Sequence, residues 1–230
     1  MSAEPSKKTW GPVAGVAFGF LAYKLPELLV TNVAPLFLPL LPADQNVRNF
    51  LVYALFEALC IGAVVTLLTW YNQKPAFIGF SRFKGEYILR ATIGFCAYFA
   101  LSSLFLYVLS QVINLPQSQQ VTGFAPHNPL ALALAFAALV VIVPIAEELI
   151  FRGFIFKGVR SVFSFPITAL VVSLLFAVAH GDISVGIDVF ALSLVACYMR
   201  EKTGSVWPGI LLHATKNGVA FLMLFVYNVH

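Results

Sequence analysis

Glu147, Glu148 and Arg152 are the only charges in the apolar run PLALALAFAALVVIVPIAEELIFRGFIF, residues 129–156. A carboxylate at bilayer depth costs several kcal/mol, roughly 2.5–3.5 on insertion scales, so such residues are usually paired, functional or both. On a helix Glu148 and Arg152 stand four apart and pair on one face. Glu147 points about 100° away and lacks that partner, which leaves a desolvated carboxylate suited to a general base. Two later apolar runs each set a polar residue one turn from an anchor: Phe176 with His180, and His213 with Asn217. An imidazole and a carboxamide side by side suit an oxyanion, or a water held between base and electrophile. Together these residue types compose a hydrolytic site inside a membrane. Each also has a plainer reading. The EExxxR set can be a buried ion-pair network that locks a bundle. His180 can be a helix-end residue, and His213 with Asn217 can bond a neighbouring helix.

The elements that must position these side chains follow from composition. Of 230 residues, 60% are hydrophobic and 10% charged, with mean hydropathy +0.89; soluble domains carry about 25% charged residues. The expected fold is an all-α, polytopic integral membrane bundle with no room for a sizeable soluble appendage. Apolar runs near 10–40, 49–71, 87–113, 129–156, 164–180, 183–199 and 206–229 predict seven crossings. An eighth arises if the first run, broken by Lys24, Pro26 and Glu27, holds two segments. The runs around 164–199 are short, which fits helices in a bundle interior. Lys7 and Lys8 before an apolar run imitate a signal peptide, but no small-x-small site follows 12–23, which predicts an uncleaved first span. The loop 114–128 is polar, uncharged and turn-rich, and reads as surface.

The net charge of +4 and pI near 9.0 come from basic residues scattered over short loops, so topology rather than nucleic acid explains them. With the N-terminus cytoplasmic, the inner side holds Lys7, Lys8, Lys74, Arg82, Lys84, Arg90, Lys157, Arg160, Arg200 and Lys202. The outer side holds Arg48 alone. That asymmetry predicts an N-in, C-out orientation. Counting from Lys157, Glu147 lies ~15 Å deep; from Trp207, His213 and Asn217 lie at ~9 Å and ~15 Å. His180, about 24 Å from Ser164, needs tilt or a recessed helix start. Cys60, Cys96 and Cys197 sit in apolar runs without CxxC spacing and read as small hydrophobes of the bundle. Glu57, Asp188 and Lys216 are further ionisable residues in apolar runs, and Lys216 is expected to pair with an acidic one. His127 and His230 receive no role.

The ordered set Glu147-Glu148-x-x-x-Arg152, Phe176-x-x-x-His180 and His213-x-x-x-Asn217 resembles the three signature motifs of the CAAX protease and bacteriocin-processing (Abi) family. That family includes the type II CAAX prenyl endopeptidases. AEELIFRGFIF, LLFAVAHG and REKTGSVWPGILLHATKNG match its style, and FIGFSRFK resembles the glycine-containing loop before its core. The likeness covers residues 125–220, so 125–230 reads as the catalytic core and 1–124 as preceding helices and loops of the same integral unit. The resemblance implies an intramembrane endopeptidase. Glu147 and His180 would position and deprotonate water, His213 and Asn217 would stabilise the oxyanion, and Glu148, Arg152 and Phe176 would support them. It leaves open whether a divalent metal takes part. Glu147, His180 and His213 are a candidate zinc set with one open position, although HExxH is absent. Lys216 beside Asn217 departs from the pattern, as a costly charge that alters the site's electrostatics or faces substrate.

The substrate class implied is a peptide or prenylated protein, with membrane lipid a further partner, at a site near the cytoplasmic face of a bacterial plasma membrane. A cavity open to lipid would admit a prenyl chain, and one open to the cytosol would favour peptides. The competing function is a non-catalytic immunity or peptide-binding protein that uses the same cavity. A transporter is disfavoured by the short chain and the absence of evident inverted repeats. No oligomeric state is assigned, because Gly62, Ala63 and Gly94 suit internal packing and association equally.

Overall fold

In lipid a backbone must satisfy its own hydrogen bonds, so long apolar runs become helices. The computed structural model describes residues 9–112 and 123–227, whose regular elements are all helical. Helix α1 is Pro12–Phe37, with a 3-10 turn at Leu38–Leu40, and α2 is Gln45–Trp70. Glu86–Ser110 forms α3 and Pro129–Arg160 forms α4. Phe165–Ala179, Ile183–Thr203 and Trp207–Phe225 are α5, α6 and α7. Five of these, α1 to α4 and α6, are long and apolar enough to cross a membrane, and α5 is a shorter apolar helix. The chain is a polytopic helical membrane protein.

Two expectations change. Residues 12–37 form one helix with Pro26 and Pro35 inside it, so the described residues hold seven helices rather than eight. Lys24 no longer breaks that helix, because its Nζ donates to Glu27 Oε2 (2.6 Å) and to the Ala179 carbonyl at the end of α5 (3.1 Å). The run read as 183–199 is a helix of 21 residues, ended by Gly204 in the left-handed region rather than by loss of apolar character. Only α5, at 15 residues, is short.

The loop 114–128 lies partly outside the described residues, and its described end is not free surface. Phe124 is buried, and Asn46 accepts from the Ala125 N–H and donates to its carbonyl. Asn128 then caps α4 through the Ala131 N–H. Asp44 caps α2 in the same way, and its bonds from the Val47 and Asn46 N–H groups hold its carboxyl below the usual value.

The first helix locks onto the fourth. Gly15 faces Gly158 so closely that a Cβ on Gly15 would lie 2.8 Å from the Gly158 Cα. Trp10 stacks on Phe154 at 4.2 Å between ring centroids and donates Nε1–H to its carbonyl at 3.1 Å. Ile150, Phe151, Phe154, Ile155, Leu192 and Leu212 are fully buried and fill the space between the helices. Cys60 and Cys197 are buried free thiols, whereas Cys96 faces outward, unlike the interior position expected of it.

Candidate functional site

The site is built on a helix that is not uniformly α. Within α4, Ala137–Ile142 and Leu149–Ile155 are wide π turns flanking Val143–Glu148. Pro144 accounts for the consequence of the first. The Val143 N–H bonds the Ala138 carbonyl, five residues back. In that register the next donor would serve the Leu139 carbonyl, but it is Pro144, which has no N–H. Asn217 of α7 supplies the missing donor, with Nδ2 at 2.9 Å from Leu139 O. In the second wide segment the carbonyls of Arg152 and Phe154 accept from Arg200 Nε (3.1 Å) and Trp10 Nε1 (3.1 Å). Wide turns of this kind recur at functional sites, and here they flank the two glutamates.

Glu147, Glu148, Arg152 and His213 are all buried, Glu148 and Arg152 completely. Arg152 Nη1 lies 3.0 Å from Glu148 Oε1, the pair read from the i, i+4 spacing. The contact is an ion pair whose N–H does not align as a hydrogen bond. His213 stands between the two carboxylates, Nε2 at 3.8 Å from Glu147 Oε2 and Nδ1 at 3.4 Å from Glu148 Oε1. These too are close approaches of charge rather than aligned hydrogen bonds. Gly209, one turn before His213, makes room: a Cβ there would sit 2.5 Å from Glu148 Oε2.

Phe176 is the platform. Its ring is fully buried, with the Arg152 guanidinium over it at 4.3 Å and the rings of His180 and His213 at 4.8 and 5.8 Å. His180 ends α5, where its Nδ1–H donates to the Phe176 carbonyl at 2.8 Å. A carbonyl only accepts, so the neutral ring keeps its Nε2 lone pair free. The FxxxH spacing thus sets both the position and the tautomer of the histidine.

Glu147, His180, His213, Lys216 and Asn217 line one cavity of about 380 Å³. Its apolar wall includes Leu139, Val143, Ala220, Phe221 and Phe225. Larger hollows hold none of these residues; one of about 670 Å³ lies between α1 and α2 along Leu25, Leu28 and Ala63. The cavity's direction bears on where its mouth lies. Its lining runs from Glu147 toward the start of α4 and the end of α7. On the other side Phe151, Phe154 and Leu212 are fully buried, and none of them lines the cavity. That side is the end rich in Lys and Arg. An N-in orientation would place this lining on the side of Glu147 away from the basic end.

Among the described residues no three His, Cys, Asp or Glu side chains are gathered as metal ligands. Glu147, His180 and His213, the candidate zinc set, are not gathered into such a group. The expected acidic partner of Lys216 is Asp188, with Oδ2 at 3.4 Å. Glu57 does not join them; it is buried near Glu147, whose charge acts on it.

Two contributors escape a reading of motifs, and a third, the loop FIGFSRFK, reads from the sequence only as a resemblance. Tyr23 of α1 donates its hydroxyl to Glu147 Oε1 at 3.5 Å, and no motif marks it. Arg200, assigned by charge to a loop, is buried on the Arg152 carbonyl. The loop after α2 sets the start of α7, since Val206 N–H bonds Gly79 O (3.0 Å) and Trp207 Nε1 bonds Ser81 O (2.7 Å). The glycine in FIGF was the signal there. His127, given no role, sits 3.5 Å from Asp44 at the α2 cap, and His230 lies outside the described residues.

Residues 129–219 match the family model described as Type II CAAX prenyl endopeptidase Rce1-like. The chain is similar to the Uncharacterized protein YyaK of Bacillus subtilis (strain 168), 32% identical over 146 residues, or 60% of this chain and 48% of that protein. The chain thus spans about half the length of the curated relative it matches. No solved structure matches it. The matched residues 129–219 hold every side chain of the three motifs.

Proposed function

We propose that the chain is an intramembrane endopeptidase that hydrolyses a peptide bond with water activated by Glu147. The observation that carries this reading is the convergence of Glu147, His180, His213 and Asn217 on one cavity inside an Rce1-like domain. Glu147 takes a proton from the water, which the free Nε2 of His180 orients. The water oxygen adds to the scissile carbonyl carbon. His213 and the second amide N–H of Asn217, whose first serves Leu139, stabilise the oxyanion. The C–N bond breaks as the proton on Glu147 passes to the leaving amine, leaving a carboxylic acid and an amine. Glu148 and Arg152 keep His213 and Phe176 in place. The substrate is a peptide or a prenylated protein, held in a bacterial plasma membrane with the N-terminus cytoplasmic.

Purified protein in liposomes, given quenched fluorescent peptides with and without a farnesyl group, tests this. Glu147→Gln is expected to lower kcat by about 10²–10⁴-fold and His213→Ala by about 10²–10³-fold, with both proteins still folded. Cleavage is expected to survive a chelator. Equal cleavage by wild type and both variants would refute the reading. A correctly folded wild type that binds peptide but cuts none would favour the non-catalytic binding role.

A further inference from the structure

Among the described residues Lys216 is the one lysine or arginine lining the cavity, and Glu147 is the one carboxylic acid there. It lies beside Asn217, three residues after His213, and its charge acts on both Glu147 and His180. Its partner is Asp188, but the contact is long, 3.4 Å, and makes no hydrogen bond that would hold the ammonium in place. Asp188 directs its other oxygen elsewhere, accepting from Tyr98 Oη (2.6 Å) and Ser102 Oγ (2.7 Å). Those two bonds disperse the carboxylate charge and anchor it toward α3. An ammonium has three donors, and with its side chain 12% exposed those of Lys216 are directed at a cavity rather than at bulk water. A desolvated cation in that state gains most from a second anion.

Resting on the endopeptidase reading, we propose that Lys216 is a specificity-determining residue that pairs with a carboxylate of the substrate beside the scissile bond. Beyond Glu147, Phe151, Phe154 and Leu212 are fully buried and none of them lines the cavity, which makes it a blind recess. A blind recess receives a chain end more readily than a chain running through. The carboxylate can belong to that end or to an acidic side chain near it.

Three peptides of one sequence separate the sources: a free C-terminal acid, the C-terminal amide, and the amide with one downstream residue changed to Asp. Wild-type protein in liposomes is expected to favour the acid over the amide roughly 10- to 100-fold in kcat/KM, chiefly through KM. Lys216→Met is expected to bring that ratio near one, and Lys216→Arg to keep it. Recovery by the Asp peptide would assign the carboxylate to a side chain, and no recovery would assign it to the chain end. The same peptides titrated against Glu147→Gln, with and without Lys216→Met, read the preference where no bond is cut. A preference there without wild-type cleavage would end the endopeptidase reading and keep the role of Lys216. A wild-type ratio near one, or a ratio that survives Lys216→Met, would overturn the inference.

Discussion

Phe176 carries no charge, yet Arg152, His180 and His213 all rest on its ring. A guanidinium over an aromatic face gains about 2 kcal/mol or more when desolvated, which offsets part of what a fully buried arginine costs. Gly209 serves the opposite end of the same pair by leaving space for Glu148. An alanine in a helix is ordinarily about 1 kcal/mol better than glycine. At position 209 the sign should reverse. Glu148 is fully buried and paired with Arg152, so it has little room to move from a Cβ 2.5 Å away. Gly209→Ala is expected to destabilise the protein by roughly 1–3 kcal/mol, as overpacking does, and to lower cleavage by moving the carboxylate that faces His213. Thermal unfolding in detergent beside an activity assay reads both. Unchanged or raised stability would mean that Glu148 is not pinned. At this scale the charged and imidazole residues were legible, because each is out of place in an apolar run. Tyr23 and Gly209 were not, since a tyrosine or a glycine in a membrane helix calls for no explanation.

At the scale of elements, hydropathy located the helices but not their internal geometry. A period of 3.6 residues carries no mark for a wide turn, and the one available signal in IVPIAEE was Pro144. That proline explains why Asn217 reaches across from α7: it fills a bond the helix cannot make for itself. Asn217→Ala should then leave the Leu139 carbonyl unpaired at a cost of about 1–3 kcal/mol. The penalty is expected to shrink by about 1 kcal/mol in a Pro144→Ala background, where the new N–H faces that carbonyl. A double-mutant cycle on unfolding measures the coupling. Strict additivity would show that the proline and the asparagine do not share that carbonyl. The position of His180 was hard to read for a related reason. Counting from one boundary assumed that every helix starts at the same depth, whereas α5 is short and its end is met by Lys24 from α1.

For the whole molecule, charge distribution and cavity direction point to opposite faces. Lys74, Arg82, Lys84, Lys157, Arg160 and Lys202 gather at the end where α2, α4 and α6 finish and α3, α5 and α7 begin. The cavity runs from Glu147 toward the other end, past Ala220 and Phe225. If the basic end is cytoplasmic, a substrate enters from the opposite face or from the bilayer beside it. Single cysteines decide this, once the outward-facing Cys96 is replaced by serine. Ala220→Cys marks the cavity, Val226→Cys the end of α7 and Lys84→Cys the basic end. With a membrane-impermeant maleimide, Ala220→Cys is expected to react from the same side as Val226→Cys, in vesicles of the orientation that protects Lys84→Cys. A saturating peptide should slow the labelling at 220 alone. Labelling at 220 from the Lys84 side would mean that the recess is entered past Phe151 and Phe154. Since those rings are fully buried, that result would require the core at the basic end to open during binding.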